Sequence, residues 1–409
     1  MQLSPANRRR GVIALLAITF LMYCGFFMVI PLVSVYYVES LGFAAALVGL
    51  ALALRQLLQQ GITLVGGMLA DLFGVRALIA AGVFIRAIGF VSLAWASTAP
   101  LLFLSMVLSA LGGALFEAPS RAAMAALTDE QERARFYSLN GVVGGLGMTI
   151  GPLLGALLLR LNFQAVALSA AVCFLIVFVV TLLMLPPVQV AFGEQRMGAG
   201  LRLAFRDRIF LIFTALLMGY WFMWVQITLS LPLAAQQITG SNDSVSIVYS
   251  LNAGMTVLLQ YPVLGFAERR LRPLPILVLG MALMALGLAA VAVAVRAEHM
   301  ALLLGCVAVF TFGSILATPI QQSVTASLAD PRALGTYFGV NALALAFGGA
   351  LGNFAGGLLT DTARSLGIPA LPWLTFGLLG LGAAIGLAML AQLLQRRPAT
   401  AHLVEATQP

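Results

Sequence analysis

Gly147-Met148-Thr149-Ile150-Gly151-Pro152-Leu153-Leu154-Gly155 and Gly348-Gly349-Ala350-Leu351-Gly352-Asn353-Phe354-Ala355-Gly356-Gly357 are one glycine stripe written twice, 201 residues apart. An asparagine precedes each by seven residues, Asn140 and Asn341, and an aspartate by eighteen, Asp129 and Asp330. Four landmarks at one offset say that the chain is two copies of one unit. Positions 140, 144, 147, 151 and 155 advance by three or four residues, so they share one face of a helix. Small residues on that face let a second helix approach closely. Pro152 withholds a backbone donor and kinks the helix.

Hydrophobic residues make up 61% of the 409 residues and charged residues 9%, which places the chain among polytopic membrane proteins. Its apolar runs exceed 18 residues, long enough to span a bilayer as helices. They lack the period-2 alternation of a membrane barrel. The stretch after Arg8-Arg9-Arg10 is too long for a signal-peptide core and reads as an uncleaved first span. Cys24, Cys173 and Cys306 sit far apart in apolar segments, with neither disulfide nor metal spacing.

The pattern predicts twelve spans at residues 12–38, 44–69, 77–97, 100–123, 137–159, 163–185, 209–233, 245–266, 274–295, 300–323, 337–360 and 371–394. It divides the chain into an N-terminal six-helix bundle (1–185), a basic central loop (186–208), a C-terminal six-helix bundle (209–394) and a short polar tail (395–409) expected to be disordered. The fold class is all-α, twelve transmembrane helices in two pseudo-symmetric bundles. All 22 basic residues are arginine. Sixteen fall on the side of the N-terminus and three, Arg160, Arg296 and Arg364, on the other. The excess predicts that both termini are cytoplasmic. It accounts for the net charge of +8 as a topology signal rather than a nucleic-acid surface. No soluble segment offers room for an ATP-hydrolysing module and no GxxxxGK[ST] pattern occurs, so any pumping is expected to draw on an ion gradient.

The connection after the second span reads Gly67-Met68-Leu69-Ala70-Asp71-Leu72-Phe73-Gly74-Val75-Arg76. With twelve spans in two halves and a basic central loop, it resembles the signature loop of the major facilitator superfamily. Leu72 and Val75 replace basic positions of that pattern. Glu268, Arg269, Arg270 and Arg272 resemble a degenerate second copy. The stripe Gly147, Gly151, Pro152, Gly155 resembles the antiporter signature of the drug–proton exporters within that superfamily, with Ser138 and Ala156 replacing its first and last glycines. Met106 stands where many relatives carry an intramembrane arginine. Further stretches, among them Gly25-Phe26-Phe27 and Gln59-Gln60-Gly61, resemble a multidrug-resistance member from bacterial inner membranes. The resemblance implies a major facilitator fold and proton-coupled efflux of small amphipathic or cationic molecules by alternating access. It also implies a bacterial inner-membrane location, a monomer, and no cofactor beyond the proton gradient. It places the fifth span against the eighth at the half interface, where the stripe would be a smooth, kinked bearing that seals a proton leak.

Charges at bilayer depth are costly and need a reason. Arg55 lies in the second span, Arg86 in the third and Glu117 in the inner third of the fourth; the second half has no equivalent. A carboxylate poised between burial and a nearby arginine can exchange protons near neutral pH. One reading makes Glu117 the proton carrier with Arg55 or Arg86 as partner; the other makes it a fixed ion pair with Arg121, four residues on. Asp71 and Arg76 suit a gating pair at a helix boundary, or a solvated turn. Tyr23 and Phe27 in the first span, with Tyr220, Trp224 and Gln226 in the seventh, offer adaptable aromatic surface for varied ligands. Gln59, Gln260 and Gln321 add polar contacts, with interhelical hydrogen bonding as the plainer role. The alternatives are a transporter of one endogenous metabolite and a membrane-embedded enzyme. The second lacks a convergent catalytic set, and no metal site is expected.

Overall fold

Long apolar helices alternate with short polar turns in a computed structural model that describes residues 5–128, 130–187, 197–241, 243–330 and 333–396. Among the described residues twelve helical runs are long and apolar enough to cross a membrane. Spans one to six are α1 (Pro5–Val35, prolonged by a π turn at Tyr36–Ser40), α2 (Ala45–Phe73), α3 (Val75–Ala94), α4 (Ala99–Leu127), α5 (Glu130–Leu159) and α6 (Phe163–Met184). After α7 (Met197–Arg206), span seven is α8 (Arg208–Trp224) and α9 (Ser230–Thr239). Then come α10 (Asp243–Glu268), α11 (Pro273–Arg296) and α12 (Met300–Leu328). Span eleven is α13 (Leu334–Leu343), a π turn at Ala344–Gly348 and α14 (Gly349–Leu366); span twelve is α15 (Leu371–Arg396).

The two halves pack alike. In the first, α1 lies on α5 and α6, α3 on α4 and α6, and α2 on α4. In the second, α8 lies on span eleven and α15, α11 on α12 and α15, and α10 on α12. The repeat holds to the level of single contacts. A Cβ on Gly151 would meet the Cys24 carbonyl, and one on Gly352 the Phe222 carbonyl. Likewise Gly112 faces the Arg86 backbone and Gly313 the Met284 backbone. Two registers follow: 198 residues relate α1 to α8 and α3 to α11, and 201 relate α4 to α12 and α5 to α14. Thr19 donates to Asn140 Oδ1 at 2.7 Å. The equivalent of Thr19 is Leu217, and Asn341 Oδ1 accordingly has no donor.

The structure departs from the sequence pattern in two places. The stretch expected as loop carries α7, with Arg202 and Arg206 exposed and Ala204 buried beside Phe210, Tyr337 and Val340. Span seven runs to Thr239 but breaks at Val225–Leu229. There Pro232 has no N–H to offer the Thr228 carbonyl, and Ser34 Oγ donates to it instead at 3.2 Å. The tail beyond residue 396 lies outside the described residues.

Among the described residues, the hydrogen bonds and ion pairs that join the halves gather at the end remote from the termini. Asp361 of α14 accepts from the amides of Ala45 at 3.0 Å and Ala46 at 2.8 Å, capping the start of α2 across the interface. A carboxylate on free helix-start amides is favoured by charge and by geometry. Arg364 pairs with Glu39, and Arg160 lies 3.7 Å from Asp243. Arg160 and Asp361 are repeat equivalents by the 201 register, as are Ala45 and Asp243 by 198. The same seam therefore closes twice, once with each sign of charge. Below it, Gly49 lies against the Asn353 carbonyl, and Gly357 against Ala45 and Ala46. Toward the termini, Tyr261 of α10 is 91% exposed.

Asp361→Ala removes two charge-assisted bonds, a loss of about 1–3 kcal/mol. The expected result is faster maleimide labelling of Val48→Cys, a position fully buried in α2, in a background lacking the three native cysteines. Alkylation rates in purified protein with and without Asp361→Ala check this; equal rates would mean the cap does not hold the end closed.

Candidate functional site

The intramembrane charges meet beside one aromatic ring. Phe26 of α1 has the Arg55 guanidinium carbon 5.0 Å and that of Arg86 4.6 Å from its centroid, both within cation–π range. Arg86 also lies 5.3 Å from the Phe174 ring. Arg55 donates to Gln59 Oε1 at 2.9 Å and to Gln56 Oε1 at 3.1 Å. Gln59 Nε2 in turn donates to Glu117 Oε2 at 3.5 Å. Glu117 takes its strong bond, 2.6 Å, from Arg121, whose side chain is largely exposed. Glu117 therefore stands half-buried between an exposed cation and a relay leading to a buried one. In this conformation it pairs with Arg121 and touches neither Arg55 nor Arg86 directly.

Arg55 and Arg86 are both more than nine-tenths buried, and the Nε of each has no acceptor. The second half carries no such charge. The two registers put Met284 opposite Arg86 and Thr318 opposite Glu117, and Thr318 shares a 2.8 Å bond with Tyr220. The position of Phe26 is kept aromatic, as Trp224.

The expected cavity residues divide. Tyr23 is exposed and stacks on Phe27, with centroids 6.4 Å apart, and Phe27 is nearly covered. Gln59, Trp224 and Gln260 are partly exposed, and Trp224 packs edge-on against Trp221. Tyr220, Gln226 and Gln321 are buried inside the second bundle, so they are packing residues here and not cavity wall. Gln226 donates to the carbonyls of Phe222 and Gly352 and accepts from Ser230 Oγ, tying the break in span seven to span eleven. The sequence pattern did not single out Phe26 as the shared ring, Gln56, or Asp361.

The stripe also has a different partner from the one the family resemblance implies. A Cβ on Gly147 would fall 2.7 Å from the Phe20 carbonyl oxygen, one on Gly151 2.6 Å from that of Cys24, and one on Gly155 against that of Met28. These glycines press α5 onto α1 of the same half; they do not face α10 across the interface. Pro152 is buried in the same helix. The second stripe works on two faces. Gly348 and Gly352 press on the backbone of α8 and Gly356 on the side chains of Gln226, Leu229 and Ser230 at the break in span seven, while Gly349 and Gly357 face α2 across the halves.

At the other motif, Gly67 and Asp71 lie outside the residues whose side chains are described. Gly74 turns the chain into α3 with φ of 80°, a conformation that suits glycine. Arg76 donates to the Leu182 carbonyl at the end of α6, beside Arg10 on Leu183, while Arg8 donates to Leu127 at the end of α4. These cations complete helix C-termini. Glu268 and Arg269 are exposed at the end of α10 and form no ion pair among the described residues. No three His, Cys, Asp or Glu side chains gather as a metal set among the described residues.

Comparison with known proteins agrees with this architecture. The profile of the Major Facilitator Superfamily matches residues 15–353. The chain belongs to the major facilitator superfamily. It is 40% identical over 403 residues to the multidrug resistance protein MdtH of Yersinia enterocolitica, covering 98% of this chain and 99% of that one. It is 38% identical over 381 residues to the protein of the same name from Photorhabdus laumondii, covering 93% and 94%. Among solved structures, a POT family transporter superimposes with TM-score 0.78 at 15% identity, covering 95% of this chain and 97% of that one. The nucleoside transporter NupG gives 0.78 at 17%, covering 93% and 99%. This superfamily member is a multi-pass membrane transporter, not an enzyme.

Gly151→Ala would drive a methyl group into the α1 backbone, and overpacking of that kind costs about 1–3 kcal/mol. Gly145, on the same helix, faces open space, so Gly145→Ala should be neutral or slightly stabilising. Thermal unfolding of the two variants in detergent should separate them; equal midpoints would show that the stripe does not set the α1–α5 distance.

Proposed function

We propose that the protein exports small amphipathic or cationic molecules in exchange for protons by alternating access, with Glu117 as the exchanging group. The carrying observation is the position of Glu117: half-buried, bonded to exposed Arg121, and linked through Gln59 to buried Arg55. A carboxylate with partners on both sides can be held by either, and a proton or a substrate cation can replace one of them. The names borne by the relatives, multidrug resistance proteins covering nearly the whole chain, support drug efflux.

The arginine excess on the side of the termini supports a cytoplasmic location for both of them, in the inner membrane of a bacterium. On that orientation the Asp361 seal is periplasmic, and the conformation is open to the cytoplasm. The first bundle, 1–185, carries the charges. The second, 209–394, supplies neutral and aromatic surface, and the connection 186–208 and tail 395–409 lie on the cytoplasmic side. A single chain acting with the proton gradient, and with no resident cofactor, completes the reading.

Reconstitution into liposomes with an imposed pH gradient tests it against a panel of fluorescent dyes and antibiotics. Wild-type protein should accumulate substrate against its gradient only while the pH difference lasts. Glu117→Gln should reduce this movement to the level of empty liposomes while still binding dye. Accumulation without the gradient, or unaltered in Glu117→Gln, would remove the reading.

A further inference from the structure

The charges in the first bundle do not balance. Two guanidiniums are buried, the carboxylate nearest to them is turned to a third, exposed arginine, and both buried Nε atoms lack acceptors. Gln56 and Gln59 supply Arg55 with neutral oxygens only. No described residue accepts a hydrogen bond from Arg86, whose neighbours are the faces of Phe26 and Phe174. A buried cation without a counter-charge is strongly unfavourable. Among the described residues no anion therefore contacts either guanidinium, Glu117 reaching Arg55 only through Gln59, and the second half has a neutral side chain at the place of Arg86. Met284 fills the place of Arg86 against the same glycine contact, Gly313, that Gly112 makes in the first half.

From this we infer that Arg55 and Arg86 bind an oxyanion carried by the transported molecule, most simply a carboxylate. Planar guanidiniums offer forked donors that match a carboxylate two bonds at a time. Phe26 and the exposed Tyr23 supply aromatic surface on which the ligand's apolar body rests. The inference deepens the role given to Glu117: a substrate with both charges places its cationic group at Glu117 and its carboxylate at the arginine pair. Arg121 is largely exposed and already bonded, so it is not part of the oxyanion site.

Tetramethylrhodamine, which carries a free carboxylate, and its methyl ester, which does not, form a matched pair of probes. Their affinities for the purified protein can be measured by fluorescence anisotropy. Charged hydrogen bonds to two arginines should favour the carboxylate form by about tenfold or more. Arg86→Met, which copies the second half, and Arg55→Gln should each bring the ratio of the two affinities toward one. Arg86→Lys should restore part of the preference. Only variants whose detergent unfolding midpoints match the wild type are scored, so a misfolded Arg86→Met leaves Arg55→Gln and Arg86→Lys to decide. Equal affinity of the two probes for the wild type, or a preference that survives both Arg55→Gln and Arg86→Met, overturns the inference. So does displacement of the carboxylate probe by millimolar inorganic phosphate as readily as by excess unlabelled probe, which would mark a resident inorganic-anion site. Glu117→Gln should keep the carboxylate preference even where proton-driven movement is lost. Failure of the proton reading and failure of the oxyanion site are therefore distinguishable.

Discussion

Lipid tails are as apolar as leucine, so helices inside a bilayer gain little from burying side chains against each other and must be held by close contact. In this chain that contact is glycine against backbone. Gly147, Gly151 and Gly155 bring α5 onto the carbonyls of α1, and Gly348 and Gly352 bring span eleven onto the carbonyls of α8 in the same register. Removing the Cβ from one helix face sets the distance between the two helices and leaves their outer faces free. The difference in charge between the halves is built on this shared glycine contact. The second stripe then uses an adjacent face, Gly349 and Gly357, to reach α2. One glycine-rich helix serves both as the spine of its own bundle and as the surface on which the other half rests.

On this common scaffold the two halves carry different chemistry at equivalent places. Arg86 and Glu117 correspond to Met284 and Thr318, and Thr19 to Leu217. The second half satisfies Thr318 with the hydroxyl of Tyr220, a neutral bond that needs no counter-charge. The first half instead buries two arginines and leaves an acid half in reach of solvent. The contact of Gly112 with Arg86 has a neutral counterpart in the same molecule, Gly313 with Met284, so packing at that place is met without a charge. At the far end the asymmetry is of sign rather than presence: Asp361 caps the amides of α2, while its equivalent Arg160 faces Asp243.

The sequence disclosed the large features because they are strong signals. Twelve apolar runs, a fixed 201-residue offset and a one-sided distribution of arginine need no knowledge of which helix meets which. The intramembrane charges were legible for the same reason, since each is costly enough to stand out. Orientation around the helix axis was not. Tyr220, Gln226 and Gln321 read as cavity wall but are buried. In a helix apolar on every side, polar residues do not reveal which face meets another helix. The stripe showed the same blindness: its spacing announces a close contact but not whether the partner is α1 or α10. Asp361 was hidden because its partners are backbone amides, which leave no mark in the sequence. The break in span seven was hidden because its stabilising bonds, from Ser34 and Gln226, come from places remote in sequence or from a side chain folded back on its own helix.

The far-end seal is made of pieces that are individually small. A partly exposed ion pair such as Arg364 with Glu39 contributes roughly 0–1 kcal/mol, and a carboxylate at a helix start about 0.3–2 kcal/mol. Tight apolar packing between α2 and α14 adds less than it would in water, because the helices would otherwise be solvated by lipid. The alternating access proposed above needs two conformations separated by a few kcal/mol, since a ligand shifts an equilibrium only by its differential affinity. A seal built from one broad glycine contact and several weak polar links holds one end closed without making that closure irreversible. Backbone contacts at glycine lie both within the halves, at Gly147, Gly151 and Gly155 and at Gly348 and Gly352, and between them, at Gly49 and Gly357, so the alternating access proposed above has to exchange the close packing of α2 on α14 as well as the polar links.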